Sequence, residues 1–354
     1  MQANKVSTKD NETDREPFIS VVIPNYDGKE YLKGCLSTLT SQTYKNFETI
    51  LVDDASKDDS VDYVKKTFPS VKIIANKETR GFAISVNAGV KNSSGEYIAL
   101  LNNDTEVESD WLEEFVAFAN AHPEMGSCQS KILLFKEKDL INSAGNKLHY
   151  LGLSWCGEYR EKDDGRFDKI KEIPYSSGAA MLIRKDLFIS MGLFYEEDRM
   201  YHEDVELGWK LMIEGYKNYY VPTSIVYHKY HFSRNKKKYY YLETGRLINL
   251  FTNYQLKTLI ILGPAFVIME VGMIAYSLPT RWIGDKFRSY RYILKNLGDL
   301  LKKRKQIQRT RKILDKVIFR NFDGKIQFEE IDNPLLKGIN PLFNVYFKIL
   351  KALM

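Results

Sequence analysis

From Phe18 to about Lys136 the chain alternates apolar runs with amphipathic stretches. "FISVVIPNY" is β-branched and apolar, and predicts a strand that stops at Pro24, Asn25 and Tyr26. "GKEYLKGCLSTLTSQ" sets Tyr31, Leu32, Cys35, Leu36 and Leu39 at helical spacing. "FETILVDDAS" and "VKIIAN" predict further strands, with "DSVDYVKKTF" a helix between them. "GFAISVNAGVKNS" then predicts a helix and "GEYIALLNND" a fourth strand. Near-continuous apolar strands alternating with amphipathic helices predict a mostly parallel sheet covered on both faces. In such sheets ligands sit beyond the carboxyl ends of the strands. Three of the four strands end there in polar clusters: Asn25-Tyr26, Asp53-Asp54 and Asn102-Asn103-Asp104.

From about Ile141 to Tyr230 short strands rich in Gly and Tyr precede a helix at "EDVELGWKLMIEG". This predicts a mixed second half on the same sheet. Beyond Tyr239 the chain turns hydrophobic and then basic. Residues 259–278 are long enough to span a bilayer and carry one charge, Glu270. Gly263-Pro264 near their start is expected to break or kink a helix. Phe287, Tyr290, Leu294, Leu297 and Leu301 recur in steps of three and four among Lys and Arg, which predicts a basic amphipathic helix. "PLFNVYFKILKALM" repeats the theme on a smaller scale. The expected division is a disordered tail (1–17), an α/β body (18–238) and a helical membrane-association region (239–354).

Composition sharpens this division. The net charge of +6 hides 14 Lys/Arg against 3 Asp/Glu between Arg281 and Arg320, a local +11 that leaves −5 for the remainder. The polar first seventeen residues hold no apolar run, so no secretory signal is expected. Cys35, Cys128 and Cys156 are scattered and lack metal-ligand spacing, as reduced packing residues of a cytosolic protein would be.

Each polar cluster admits a chemical and a structural reading. Asp53 and Asp54 suit a base N–H or ribose hydroxyls, and equally a helix cap. Asn102 and Asp104 offer hard oxygen donors to Mg2+ or Mn2+, or form an Asx-turn. Arg80 and Gly81 precede a helix and can meet a phosphate, or mark ordinary helix entry. Glu203 and Asp204 supply a general base, or favourable charge at a helix N-terminus. His228 and His231 suit a metal, or strand packing.

In order, these blocks resemble family 2 glycosyltransferases of the GT-A nucleotide-sugar-binding fold, with the rhamnosyltransferase-like group most similar. The resemblance rests on "SVVIPNYDGKEYLKGCLSTLTSQTYKNFETILVDDASKDDS", "NKETRGFAISVNAGV", "GEYIALLNNDTEV", "SSGAAMLIRKDLF", "HEDVELGWKLMIEGY" and "VYHKYHFS", over Ser20 to about Ser233. It implies that Pro24, Asn25, Tyr26 and Asp54 line the base and ribose, with Asp53 and Arg80 beside them and Asn87 near the nucleotide. Asn102, Asn103 and Asp104 would stand for the DXD motif, its first Asp replaced by Asn102. Asp104 and His228 would ligate the metal, Mn2+ or Mg2+. Asp204 would be the catalytic base with Glu203 its neighbour, and Gly178 would border the acceptor. The implied reaction is inverting transfer from a UDP- or dTDP-sugar to a saccharide hydroxyl. Processive synthases of this superfamily carry Gln-x-x-Arg-Trp; here Arg281-Trp282 follows Leu278, so addition of one or a few sugars is expected.

Nucleotide sugars are cytoplasmic, and the positive-inside tendency places the basic segment there too. One crossing by 259–278 would separate the two. A re-entrant hairpin bent at Gly263-Pro264, followed by a basic helix on anionic headgroups, reconciles them and places a lipid-linked acceptor at the cytoplasmic face. The run "RNKKKYYY" is expected along the same interface. A nucleotidyltransferase would need a Gly-rich triphosphate loop, which does not follow "VVIPNY". A dead transferase fold acting only as a binding protein would not need Asp54, Asp104, Asp204 and His228 together. Nucleic acid is not expected as a partner, because the basic segment carries an apolar stripe.

Overall fold

The computed structural model describes residues 16–196, 201–230, 238–327 and 334–354. Most of the expected tail, His231 and the start of "RNKKKYYY" lie outside them. The first half follows the predicted alternation: β1 (Ile19–Asn25), α1 (Lys29–Thr40), β2 (Phe47–Asp53), α2 (Ser60–Thr67), β3 (Lys72–Ala75), α3 (Phe82–Lys91) and β4 (Tyr97–Leu101). The second half adds β5 (Thr105–Val107), α4 (Trp111–Ala121), β6 (Met125–Leu134), β7 (Ile141–Ser143), β8 (Lys147–Leu148), β9 (Ser154–Trp155), β10 (Lys171–Ile173), β11 (Ala180–Arg184), α5 (Lys185–Ser190), α6 (Glu203–Ile213) and β12 (Lys217–His228).

Ten strands form one sheet among the described residues, ordered β10-β12-β6-β11-β4-β1-β2-β3, with β5 on β12 and β7 on β6. Strands β4, β1, β2 and β3 are mutually parallel, while β11 runs antiparallel between β4 and β6. The sheet is therefore α/β and mostly parallel on one side, mixed on the other. Apolar layers cover both faces: Leu32, Leu36, Trp111 and Phe115 on one, Val86, Val90, Phe188 and Leu211 on the other. That double cover is why β1 and β4 read as unbroken apolar runs.

The C-terminal part is helical: α7 (Lys238–Asn253), α8 (Leu256–Ser277), α9 (Ile283–Lys295), α10 (Leu297–Thr310), α11 (Asp315–Ile318) and α12 (Pro334–Leu353). It shares one apolar cluster with the sheet domain, in which Trp209 of α6 meets Tyr254 and Phe322. Phe347 stacks on Tyr150 with ring centroids 4.8 Å apart. Two expectations are corrected here. α8 runs unbroken through Gly263 and Pro264, so no hairpin bends there. Proline removes one intrahelical bond, and the buried Leu262, Ala265 and Met269 hold the helix on either side. The basic amphipathic stretch is two helices, α9 and α10, meeting at Asn296.

Candidate active site

Three strand ends of the parallel half are stitched together by side chains. Asn103 donates to Asn25 Oδ1 at 2.7 Å, and Asn25 Nδ2 donates to Asp53 at 2.9 Å. Asp53 also accepts from the Ser56 amide at 3.0 Å and its hydroxyl at 2.6 Å. Gly28 lies so close that a Cβ there would stand 2.1 Å from Asn103 Nδ2. Beside this knot Tyr26 is half exposed, while Pro24 pairs with Val52 inside the sheet.

Asp54 has a holding role. Its carboxylate accepts the amides of Arg80 at 2.9 Å and Gly81 at 2.8 Å, and Asn76 Nδ2 at 2.9 Å. Gly81 has φ 100°, a conformation that glycine alone adopts without strain. The loop is thereby fixed with the Arg80 side chain in solvent. Asn87 is buried, donates to the Phe194 carbonyl at 2.9 Å and accepts the Phe194 amide at 3.0 Å, which anchors the loop after α5.

The metal candidates meet. β12 pairs antiparallel with β5, setting His228 opposite Thr105, and the Lys229 amide donates to the Asp104 carbonyl at 2.9 Å. His228 Nε2 consequently stands 3.2 Å from Asp104 Oδ1. Its Nδ1 lies 2.9 Å from Asn142 Oδ1, a contact suited to the tautomer that leaves the Nε2 lone pair facing Asp104. Two donors about 2.1 Å from one octahedral ion and at right angles stand about 3 Å apart, so this pair fits adjacent ligand positions. A protonated ring would instead make an ion pair with Asp104. Among the described residues no third His, Cys, Asp or Glu completes a cluster. Mg2+ and Mn2+ commonly take remaining ligands from water and substrate phosphates. Asn102, half-buried next to this pair, binds Ala179 through its amide at 2.9 Å.

That contact leads to the carboxylate pair. Gly178 donates its amide to Asp204 Oδ2 at 3.3 Å, and Val205 donates to Oδ1 at 2.8 Å. Burial raises the Asp204 carboxyl to about 6 against these two bonds, which lower it. A carboxyl titrating there is matched to proton transfer near neutral pH. Asp204 and Glu203 open α6, after two successive left-handed residues, Tyr201 (φ 68°) and His202 (φ 65°). α7 braces this turn: a Cβ on Gly245 would lie 2.6 Å from the His202 Cβ, and Asn249 donates to the His202 carbonyl at 3.4 Å. Burial, then the charge of Arg246, hold His202 neutral with its titration near 3.

Sequence reasoning missed the supports. Asn142 orients His228, Gln129 accepts the Ser177 amide at 2.9 Å, and Gly245 and Asn249 hold the turn. None belongs to a motif. Only the unusual run of polar residues in the wholly buried β6 ("MGSCQSKILL") marks part of that network.

Residues 20–192 match the family described as glycosyl transferase family 2. An uncharacterized glycosyltransferase of Haemophilus influenzae is 25% identical over 63% of this chain and 68% of its own length. One of Rickettsia typhi is 26% identical over 55% of this chain and 59% of its own. The chain thus spans under two thirds of several curated relatives, among them 24% of a protein from Sinorhizobium fredii. Among solved structures, the mannosyltransferase PcManGT of Pyrobaculum calidifontis in complex with GDP-Man and Mn2+ is similar at TM-score 0.51 and 14% identity, over 98% of this chain and 90% of that one. TarS of S. aureus in complex with UDP is similar at TM-score 0.54 and 15% identity, over 95% and 90%. These structural likenesses carry the GT-A-like fold. The family match spans residues 20–192, just under half of the chain.

Proposed function

We propose that this protein is an inverting, metal-dependent glycosyltransferase that moves a sugar from a nucleoside diphosphate, UDP or dTDP, to a hydroxyl of a lipid-linked saccharide in envelope polysaccharide synthesis. The observation that carries this is the convergence of Asp104 and His228 to 3.2 Å, at the same strand ends as the Asn25, Asp53 and Asn103 knot. A divalent ion at that pair would offset the charge growing on the departing diphosphate.

The remaining chemistry belongs to the chain. Tyr26 and the loop fixed by Asp54 offer a surface for base and ribose. Asp204 accepts the proton of the acceptor hydroxyl as that oxygen attacks the anomeric carbon. The Gly178 amide holds the carboxylate in place, and single displacement inverts the sugar. Base catalysis contributes about 10²–10⁴-fold, so positioning must supply the rest. Glycosyltransferases with UDP, or with GDP-Man and Mn2+, among the similar structures support a nucleotide-sugar donor. A curated relative named poly-beta-1,6-N-acetyl-D-glucosamine synthase, 24% identical, supports a place in polysaccharide synthesis.

A cytoplasmic-face membrane position is part of this proposal. α8 is long and apolar enough to cross a membrane, by length and composition alone. Its Glu270, however, is turned into protein: it accepts from Lys286 Nζ at 2.7 Å, and from Arg246 and the Tyr290 hydroxyl. That favours α8 lying in the interface with α7 and α9 beside it. Lys238, Tyr239, Tyr240 and Tyr241 begin α7, and Lys238 is buried.

The test is a screen of nucleotide sugars for Mn2+- or Mg2+-dependent turnover with a lipid-linked acceptor. Turnover with a UDP- or dTDP-sugar that vanishes on chelation is the expected result. Equal turnover in EDTA would remove the metal from the account.

A further inference from the structure

Segment 176–179 links the two halves of the proposed chemistry residue by residue. The Ser176 hydroxyl lies 2.8 Å from that of Ser127, and the Ser177 amide donates to Gln129 Oε1 at 2.9 Å. Gly178 donates its amide to Asp204 Oδ2 at 3.3 Å, and the Ala179 carbonyl accepts the amide of Asn102 at 2.9 Å. The proposed base is therefore tied to one residue of this segment, and the strand end that leads to Asp104 to the next. Ser127 and Gln129 stand two apart on β6, so one face of that strand carries both ties.

Gln129 reaches further. Its Nε2 donates to Ser143 Oγ at 3.1 Å, and Ser143 follows Asn142, the partner of His228, on β7. Ile132 and Leu133 of β6 pair with Ser143 and Ile141, which leaves Asn142 as the extra residue of a bulge. Bulges re-aim side chains beside functional sites. This one leaves Asn142 on His228 while Ser143 serves Gln129. A buried amide is costly unless it is bonded, and Gln129 is fully buried. Satisfying the Ser177 amide alone would need only an acceptor. The second bond joins that segment to the strand that holds His228.

We propose that Gln129 is a positioning residue for the transfer: it holds segment 176–179 at a fixed distance from the strand bearing Asn142, and so sets Asp204 against the Asp104–His228 pair. This rests on the transferase reading above and adds to it the link that keeps base and metal ligands in register. Gln129 is closed to solvent, so it acts through Ser177 and Gly178 on one side and through Ser143 and Asn142 on the other.

The full chain is compared with three variants by steady-state kinetics across pH, with UDP–Mn2+ binding measured by calorimetry in parallel. Gln129→Met, of similar length but without the amide, should lower kcat about 10–100-fold while donor KM and UDP–Mn2+ affinity stay within about threefold. Loosening Gly178 also weakens a bond that lowers the Asp204 carboxyl, so the acidic limb of kcat should move to higher pH. The titratable groups lining the cavity beside Asp204, among them Tyr175, His202, Glu203, Lys238 and Glu243, are unchanged, so the shift reports that bond. Ser143→Ala, a smaller change that keeps the test open if Gln129→Met does not fold, should act in the same direction by about threefold or more. Ser130, next on β6 and equally buried, bonds Trp111 and Ser224 instead, so Ser130→Ala should leave kcat and the limb in place. A Gln129→Met kcat equal to that of Ser130→Ala, an unmoved limb, or UDP–Mn2+ binding lost in step with kcat would overturn the inference. So would Ser143→Ala indistinguishable from wild type. With wild-type turnover present, those results remove only the role of Gln129. If the wild-type chain turns over no nucleotide sugar, the transferase reading falls and the inference with it.

Discussion

At the scale of single residues, Asp204 as the proposed base should set the pH behaviour of turnover. Its carboxyl is raised from 3.8 to about 6, chiefly by burial. The proton therefore stays on below that value, and the base form accumulates above it. Turnover should rise with pH through about 6 and be lost as pH falls through it, read as the acidic limb of a kcat profile. Asp204→Asn should lower kcat by about 10²–10⁴-fold with UDP binding retained; an unchanged rate would remove Asp204 as the base. The residue types at the strand ends were legible in the sequence because a polar cluster closing an apolar strand is a local signal. What those clusters bind within the protein was not. Asp54 holds the Arg80–Gly81 amides and Asn87 holds Phe194, and both partners are set by distant chain.

At the scale of elements, the turn into α6 is the part most exposed to small changes. His202 holds left-handed backbone with α7 packed against it. Gly245→Ala should push His202 and shift Asp204, costing about 1–3 kcal/mol of stability by overpacking and lowering kcat more than it raises KM. Thermal unfolding and steady-state kinetics read both. Period and length identified the seven elements from β1 to β4, since each is locally amphipathic or wholly apolar. The same cues failed at α8, where a Gly-Pro pair reads as a break. They failed again at α9 and α10, whose stripe continues across the joint at Asn296. The burial of Leu262, Ala265 and Met269, and of Glu270 among Arg246, Lys286 and Tyr290, shows how α8 is held. Glu270→Ala strands two buried cations on a diminished partner set, and should destabilise the fold by about 3–5 kcal/mol in denaturant titration.

At the scale of the whole molecule, the helical part and the sheet share a core, and its outer surface is apolar and basic. Phe287 and Leu294 stand one heptad apart on α9, 56% and 73% exposed, among Arg288, Arg291 and Lys295. Each burial in lipid is worth about 1.5–3 kcal/mol. Phe287→Ser with Leu294→Ser should therefore weaken binding to anionic vesicles at least tenfold in co-sedimentation, and salt should weaken the wild type as well. All of this depends on a cation bridging Asp104 and His228 while a nucleoside diphosphate occupies the cleft. Crystals grown with UDP and Mn2+, measured for manganese anomalous scattering, test it most directly. A single peak is expected within coordinating distance of Asp104 Oδ1, His228 Nε2 and the diphosphate oxygens. UDP bound in the cleft with no peak there, or with manganese held by other residues, would contradict it.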